Sequence, residues 1–262
     1  RVGGPRAGHA MHKSWYAPTR GPSYLATADR MMQDATAAGT VIAWTVMADQ
    51  AIADGVDAAA LTSRAGADWA QAVGAAQPEF QHRGLNGRAA IDCQTGEWMD
   101  GVHDWTGTDR AIVAVTVVYG AAGVDRDVYA GHVNASTRVP IQGRLAPGTS
   151  VQHLDGARYE IRTSTTGVNP MVQAGTWDQD GATLLDWMKL YENGVAIAHS
   201  STIGAAVAGD FAASTDASLG ARHAARPVEG VISEVMLVKG AIVDMEASAQ
   251  TITAAMRYRA GI

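Results

Sequence analysis

Short segments rich in Val, Ile, Tyr and Thr recur along most of this chain, and Gly, Asp, Asn and Pro separate them. Many short strands at nearly regular spacing are typical of a β-sandwich or a β-barrel. A chain of 262 residues is long enough to bury about 70% of its unfolded surface, so it forms a hydrophobic core without needing disulfide bonds or structural metal ions. The segments that indicate strands are 41–48, 88–92, 111–120, 127–133, 150–154, 157–163, 171–177 and 229–238.

The clearest hairpin signal lies at residues 184–200. Side chains alternate in character through 184–191, and 195–200 resumes the alternation after Asn193 and Gly194. Asn and Gly accept the positive φ angles that a tight hairpin turn requires. The pattern therefore predicts two antiparallel strands with their turn at Asn193-Gly194.

Two other segments show the three- and four-residue spacing of an amphipathic helix. The first spans residues 23–38. The second begins after Asp244, which suits an N-cap, and ends at Gly261, which suits a C-cap. The apolar stripe of this second helix consists of Met245, Ala249, Ile252 and Met256.

The first 22 residues form a basic segment rich in Gly and Pro. They carry four positive charges and no acid, whereas the whole chain has a net charge of −6. This composition predicts an extended arm rather than a packed element. Trp15 and Tyr16 are aromatic anchors if the arm docks on a neighbouring subunit, and the alternative is a loosely attached tail. The basic residues of this partner-binding arm are Arg1, Arg6, Lys13 and Arg20.

Three stretches resemble one family in their order and spacing. AQAVGAAQPEFQHRGLNGRAAIDC at 70–93 resembles the entry into an early strand of the concanavalin A-like lectin/glucanase superfamily, in its LamG-like jelly-roll form. LLDWMKLYENGVAIAHSS at 184–201 is similar to a hairpin of those domains, and residues 219–258 resemble their closing strand and helix. Such domains occur in phage virion and bacterial surface proteins.

The resemblance implies an all-β fold, a two-sheet antiparallel jelly-roll sandwich of about a dozen strands. It covers residues 41–262, which we expect to form the jelly-roll domain. The extended arm at 1–22 and a short helix and linker at 23–40 precede it, and the C-terminal helix closes it.

The sequence lacks catalytic signatures. Glucanases of that superfamily carry an E-x-D-x-x-E motif that places carboxylates on one face of a strand, and no such string occurs here. There is also no H-E-x-x-H, G-x-S-x-G or P-loop string, and the single cysteine, Cys93, excludes a Cys-x-x-Cys pair. We therefore expect a protein that is not an enzyme, while a carboxylate pair assembled from distant strands stays open.

One loop combines residues that suit sugar binding. Trp105 lies in the loop 103–109, with His103, Asp104 and Asp109 close to it in sequence. An aromatic ring beside polar groups offers a sugar both an apolar face and hydrogen bonds. The alternative is that Trp105 fills the core of a chain that has only two Phe residues.

Asp178 and Asp180 are candidate calcium ligands in the string WDQDG at 177–181. Calcium takes six to eight oxygen ligands, and two carboxylates with nearby carbonyls supply part of such a set. The alternative is an ordinary β-turn, in which Asp and Gly are common. No other cofactor is expected.

Three functions remain open. The leading one is a non-enzymatic structural or decoration protein in the capsid or tail of a phage-like particle. In this hypothesis the N-terminal arm attaches the protein to other subunits of an oligomeric assembly in the virion. The alternative is a carbohydrate-binding, lectin-like module of an extracellular or cell-surface protein, with surface glycans as partners. The third is a polysaccharide-degrading enzyme with an unrecognised site.

The acidic body argues against a nucleic-acid partner, and the lack of 18 consecutive apolar residues argues against a membrane span.

Overall fold

Two antiparallel β-sheets pack face to face in the computed structural model of this protein. Nineteen strands and three helices lie in the residues that it describes. The described residues are 29–34, 39–120, 126–131, 139–145, 148–154, 158–162, 169–199, 201–203, 211, 217–221 and 226–262.

The strands are numbered in chain order. They are β1 (Thr40–Val46), β2 (Val56–Asp57), β3 (Ala60–Leu61), β4 (Ala65–Gly66), β5 (Trp69–Ala70), β6 (Glu79–Leu85), β7 (Arg88–Cys93), β8 (Met99–Gly101), β9 (Arg110–Val118), β10 (Arg126–Ala130), β11 (Val139–Leu145), β12 (Gly148–Leu154), β13 (Arg158–Arg162), β14 (Met171–Asp178), β15 (Met188–Glu192), β16 (Val195–Ala196), β17 (Ser201–Ile203), β18 (Ala217–Leu219) and β19 (Gly230–Lys239). The helices are α1 (29–34), α2 (Leu184–Trp187) and α3 (Met245–Ala260), with short 3-10 turns η1 (Met47–Asp49) and η2 (Gly74–Ala76).

Sheet A has ten strands in the order β16-β15-β14-β9-β19-β7-β6-β2, and β1 pairs with both β19 and β4. Sheet B has nine strands in the order β17-β13-β12-β11-β10-β18-β8-β5-β3. The expected all-β, two-sheet antiparallel sandwich is confirmed. None of the helices in the described part of the chain has the length and apolar character that crossing a lipid bilayer requires.

The strands at the centre of sheet A are apolar on both faces. In β9, Val113 and Val115 face the core between the two sheets, whereas Ile112 and Ala114 face the opposite side. Helix α3 packs on that opposite side through Ile252 and other buried residues. The molecule therefore has three layers, with sheet A between sheet B and α3.

The predicted C-terminal helix is confirmed as α3. The Asp244 carboxylate accepts a hydrogen bond from the Ala247 N–H at 2.8 Å, so it caps the first turn. Gly261 ends the helix in the left-handed region with φ of 73°. Ala249, Ile252 and Met256 of the expected stripe are fully buried against sheet A.

The predicted hairpin has the right turn and the wrong first strand. Asn193 and Gly194 have φ angles of 54° and 85° and join β15 to β16. Residues 184–187 form helix α2 instead of a strand, because Thr183 caps them: its hydroxyl accepts from the Asp186 N–H at 3.2 Å and donates to the Asp186 carboxylate at 2.7 Å.

The N-terminal predictions are tested only in part. Residues 29–34 of the predicted helix at 23–38 are helical. The arm at 1–22, with Trp15 and Tyr16, lies outside the described residues, so its role stays a prediction.

Replacing Gly194 with Ala will lower the free energy of unfolding by about 1–2 kcal/mol, because an L-residue is strained at positive φ. A Cβ at Gly194 makes only ordinary contacts, the nearest at 3.7 Å from Thr253 Oγ1, so backbone conformation and not crowding causes the loss. Gly74→Ala is the control, since Gly74 has no positive φ and open space around its Cβ position. Urea unfolding of both variants tests this, and equal stabilities would contradict it.

Candidate functional site

The outer face of sheet B carries a row of small residues around one carboxylate. The strand registers place Ala70, Asp100, Ser218 and Ala130 side by side across β5, β8, β18 and β10. Their neighbours along each strand point into the core between the sheets, as Trp69 does. Ala70 is exposed and Asp100 half-buried, so the open part of this face lies over β5 and β8.

Trp98 lies at the edge of this open part, immediately before β8. Its indole N–H donates to Asp100 Oδ1 at 2.7 Å. The Gln71 amide donates to Asp100 Oδ2 at 3.3 Å and to the Trp98 carbonyl oxygen at 3.2 Å. The Gln77 amide in turn donates to the Gln71 carbonyl oxygen at 2.7 Å. We call Gln71, Trp98 and Asp100, with Ala70 beside them, the Trp98 site.

The chain holds Trp98 in place through a tight turn. The Glu97 N–H donates to the Gln94 carbonyl oxygen at 3.0 Å, and the Glu97 carboxylate accepts from the Gln94 N–H at 2.8 Å. Gly96 within this turn has φ of 85°. The Trp98 N–H then donates to the Ala76 carbonyl oxygen at 3.0 Å, which ties the turn to η2.

Trp98 differs from the other described tryptophans in its exposure. It is half-buried, and it is the only tryptophan in the described ranges that is not buried. The buried ones are Trp44, Trp69, Trp105, Trp177 and Trp187. A partly exposed indole beside a carboxylate offers an apolar surface and hydrogen-bond acceptors together, which suits a sugar ring.

Trp105 is fully buried, so it is not the exposed platform that the loop composition predicts. Its indole N–H donates to the Tyr129 hydroxyl at 3.0 Å. His103 is also buried, with its ring centroid 4.5 Å from that of Trp69. Asp104 instead points outward and forms an ion pair with Lys239 at 3.3 Å. The structure therefore does not bring these predicted sugar-binding side chains to one open surface.

Asp109 interacts with Asp180, one of the two predicted calcium ligands. Hydrogen bonding with Asp109 and the charge of Asp109 raise the pKa of Asp180. Asp178 forms an ion pair with Arg110, with 3.2 Å between Oδ2 and Nε. No group of three or more His, Cys, Asp or Glu side chains within the described ranges is arranged to hold a metal ion. Calcium binding by Asp178 and Asp180 stays a prediction.

The buried His103 side chain makes stability depend on pH. Burial lowers its pKa to about 4, and its Nε2 atom has no hydrogen-bond partner among the described residues. The folded protein therefore keeps His103 neutral over a range in which an unfolded histidine takes up a proton.

Lowering the pH will destabilise the fold through His103. Between its unfolded pKa of about 6.5 and its folded pKa of about 4, the unfolded state binds more protons, so the free energy of unfolding falls as pH falls, by up to about 3 kcal/mol. Urea unfolding across this window measures the loss, and His103→Phe will flatten the pH dependence. His199→Gln, a substitution at an exposed histidine, is the matched control variant. Equal slopes in the His103→Phe variant and the unmodified protein would contradict the assignment.

Comparison with solved structures shows a shared fold at low sequence identity. Domain 4 of AbnA, a GH43 extracellular arabinanase from Geobacillus stearothermophilus solved in complex with arabinotriose, is 14% identical with a TM-score of 0.53, over 83% of this chain and 98% of that one. A structure of botulinum neurotoxin type C, whose cell entry depends on interaction with two ganglioside molecules, is 10% identical with a TM-score of 0.57, over 87% of this chain and 53% of that one.

Trypanosoma rangeli sialidase is also similar, at 10% identity and a TM-score of 0.54, over 90% of this chain and 38% of that one. This chain thus spans about half of the neurotoxin chain and less than half of the sialidase chain. No protein-family model matches the sequence, and neither does any curated protein. The comparisons show a shared β-sandwich fold, while membership of the LamG-like family stays a prediction.

Proposed function

We propose that this chain is a carbohydrate-binding module that holds a glycan on the Trp98 site. The observation that carries the proposal is the partly exposed indole of Trp98, hydrogen-bonded to the Asp100 carboxylate on an open sheet face. Two solved structures that share the fold come from glycan-dependent proteins, one in complex with arabinotriose and one that interacts with gangliosides. They add support to the proposal.

The chemistry of the site suits a sugar ring. The apolar face of the ring stacks on the Trp98 indole, and its hydroxyl groups donate to the two oxygens of Asp100. The Trp98 N–H and the Gln71 amide already hold that carboxylate in one orientation. Binding therefore loses little side-chain freedom, which favours affinity. Ala70 keeps the neighbouring surface low enough for the ligand to approach.

This proposal takes the alternative that the sequence left open and not its leading interpretation. The shared folds favour a glycan-binding role over a structural role in a phage-like particle, for which we find no support. We accordingly propose an extracellular or cell-surface location and surface glycans as partners. We propose no catalytic activity, since the chain carries no E-x-D-x-x-E string to place two carboxylates on one strand face.

Trp98→Ala will weaken glycan binding at least about tenfold, since a lost stacking contact of about 1.4 kcal/mol changes Kd by that factor. Trp98→Phe will keep part of the affinity, because it retains a ring but loses the N–H that orients Asp100. A glycan array followed by titration calorimetry with arabinotriose and the strongest array ligand measures these effects.

Asp100→Asn will also weaken binding, since an amide replaces one acceptor oxygen with a donor. Asp104→Asn is the matched control, because Asp104 is an exposed aspartate of the loop that the sequence favoured. Binding that survives Trp98→Ala would place the glycan elsewhere, and the absence of any bound glycan would overturn the proposed function.

A further inference from the structure

A cavity of about 240 Å³ lies on the outer face of sheet A, on the opposite side of the sandwich from the Trp98 site. It opens where the C-terminal end of α3 meets η1, β7 and β19. Small side chains leave the space, namely Ala48, Ala89, Ser233 and Ala260. It has room for several waters, or for one small organic molecule.

One wall of the cavity is a set of charges that compensate each other around the Trp44 ring. The Glu234 carboxylate accepts from the Trp44 indole N–H at 2.9 Å and from Arg259 Nε at 3.0 Å. Arg64 donates to Asp49 at 3.0 Å and to Asp29 at 2.9 Å. The guanidinium groups of Arg64 and Arg259 lie 5.0 and 5.5 Å from the centroid of the Trp44 ring.

Every carboxylate of this wall therefore forms an ion pair with an arginine side chain. Asp29 is shared, because Arg259 donates to it as well as Arg64. Glu234 and Arg259 are buried, and buried charges persist in a fold when partners of opposite charge hold them in this way. The wall is complete without a ligand and defines the shape of the cavity.

Two donors that line the cavity are not used by the fold. The Arg88 guanidinium and the Ser233 hydroxyl make no hydrogen bond or ion pair within the described part of the chain. Arg88 is half-buried, and Ser233 is 7% exposed. A guanidinium group offers a fork of N–H donors that matches a carboxylate, and a hydroxyl adds a third donor.

We propose that this cavity binds a small organic carboxylate, up to the size of a single sugar acid. Its carboxylate accepts hydrogen bonds from Arg88 and Ser233, and its body packs against Val46, Ala48 and Ala89. One unused guanidinium group matches a single negative charge, and the apolar part of the lining favours an organic ligand over inorganic phosphate. This site does not depend on the glycan proposed for the Trp98 site.

Titration calorimetry of the full chain with glucuronate, and with neutral glucose as the comparison, tests the proposal. We expect saturable binding of glucuronate only, weaker at high salt because charge attraction contributes. Arg88→Gln will raise Kd at least tenfold, Ser233→Ala about threefold, and Arg88→Lys will keep part of the affinity, since it retains the charge but not the fork of donors.

Two variants serve as controls. Arg83→Gln changes an exposed arginine of β6 that does not line the cavity, so it will leave glucuronate binding unchanged. Trp98→Ala will also leave it unchanged, because the Trp98 site lies on the other sheet. If Arg88→Gln does not fold, Ser233→Ala and Arg88→Lys decide the result. The absence of saturable glucuronate binding, equal binding of glucose, or an unchanged Kd in the Arg88 and Ser233 variants would overturn the proposal.

Discussion

Burial of β9 and β19 on both faces is the requirement on which the rest of the structure depends. These strands pair along most of their length, and their alternate residues feed two different cores. A sheet that is apolar on both faces is stable only when both faces are covered. Sheet B covers one face and α3 covers the other, so the layered arrangement follows from the composition of the two central strands.

This arrangement also determines where each proposed ligand binds. Sheet A is covered on both sides, so the Trp98 site lies on the outer face of sheet B, over β5 and β8. The cavity beside Arg88 lies where α3 ends and its apolar stripe stops covering sheet A. There, paired charges around Trp44 replace apolar packing along one wall, and a small cavity remains. Both sites thus occupy places where the covering of a sheet is incomplete.

Two expectations differed from the structure, each for its own reason. Residues 184–187 alternate like a strand, but the Thr183 cap makes them one turn of helix before β15 begins. Trp105 lies in a loop, but that loop turns its aromatic side chains inward, where the Trp105 indole meets the Tyr129 hydroxyl. In the first case the strand pattern hid a local capping signal, Thr-x-x-Asp. In the second, the partner belongs to a distant strand that no local pattern reveals.

The sequence by itself determined the features whose causes are local: the β-rich composition, the turn at Asn193-Gly194, and the capped helix from Asp244 to Gly261. Only the tertiary structure decided which tryptophan reaches the surface and which charges compensate each other. Trp98 meets Gln71 because β5 pairs with β8, and Trp44 meets Glu234 because β1 pairs with β19. Exposure and charge pairing depend on strands that are distant in sequence, so the neighbouring residues along the chain do not contain that information.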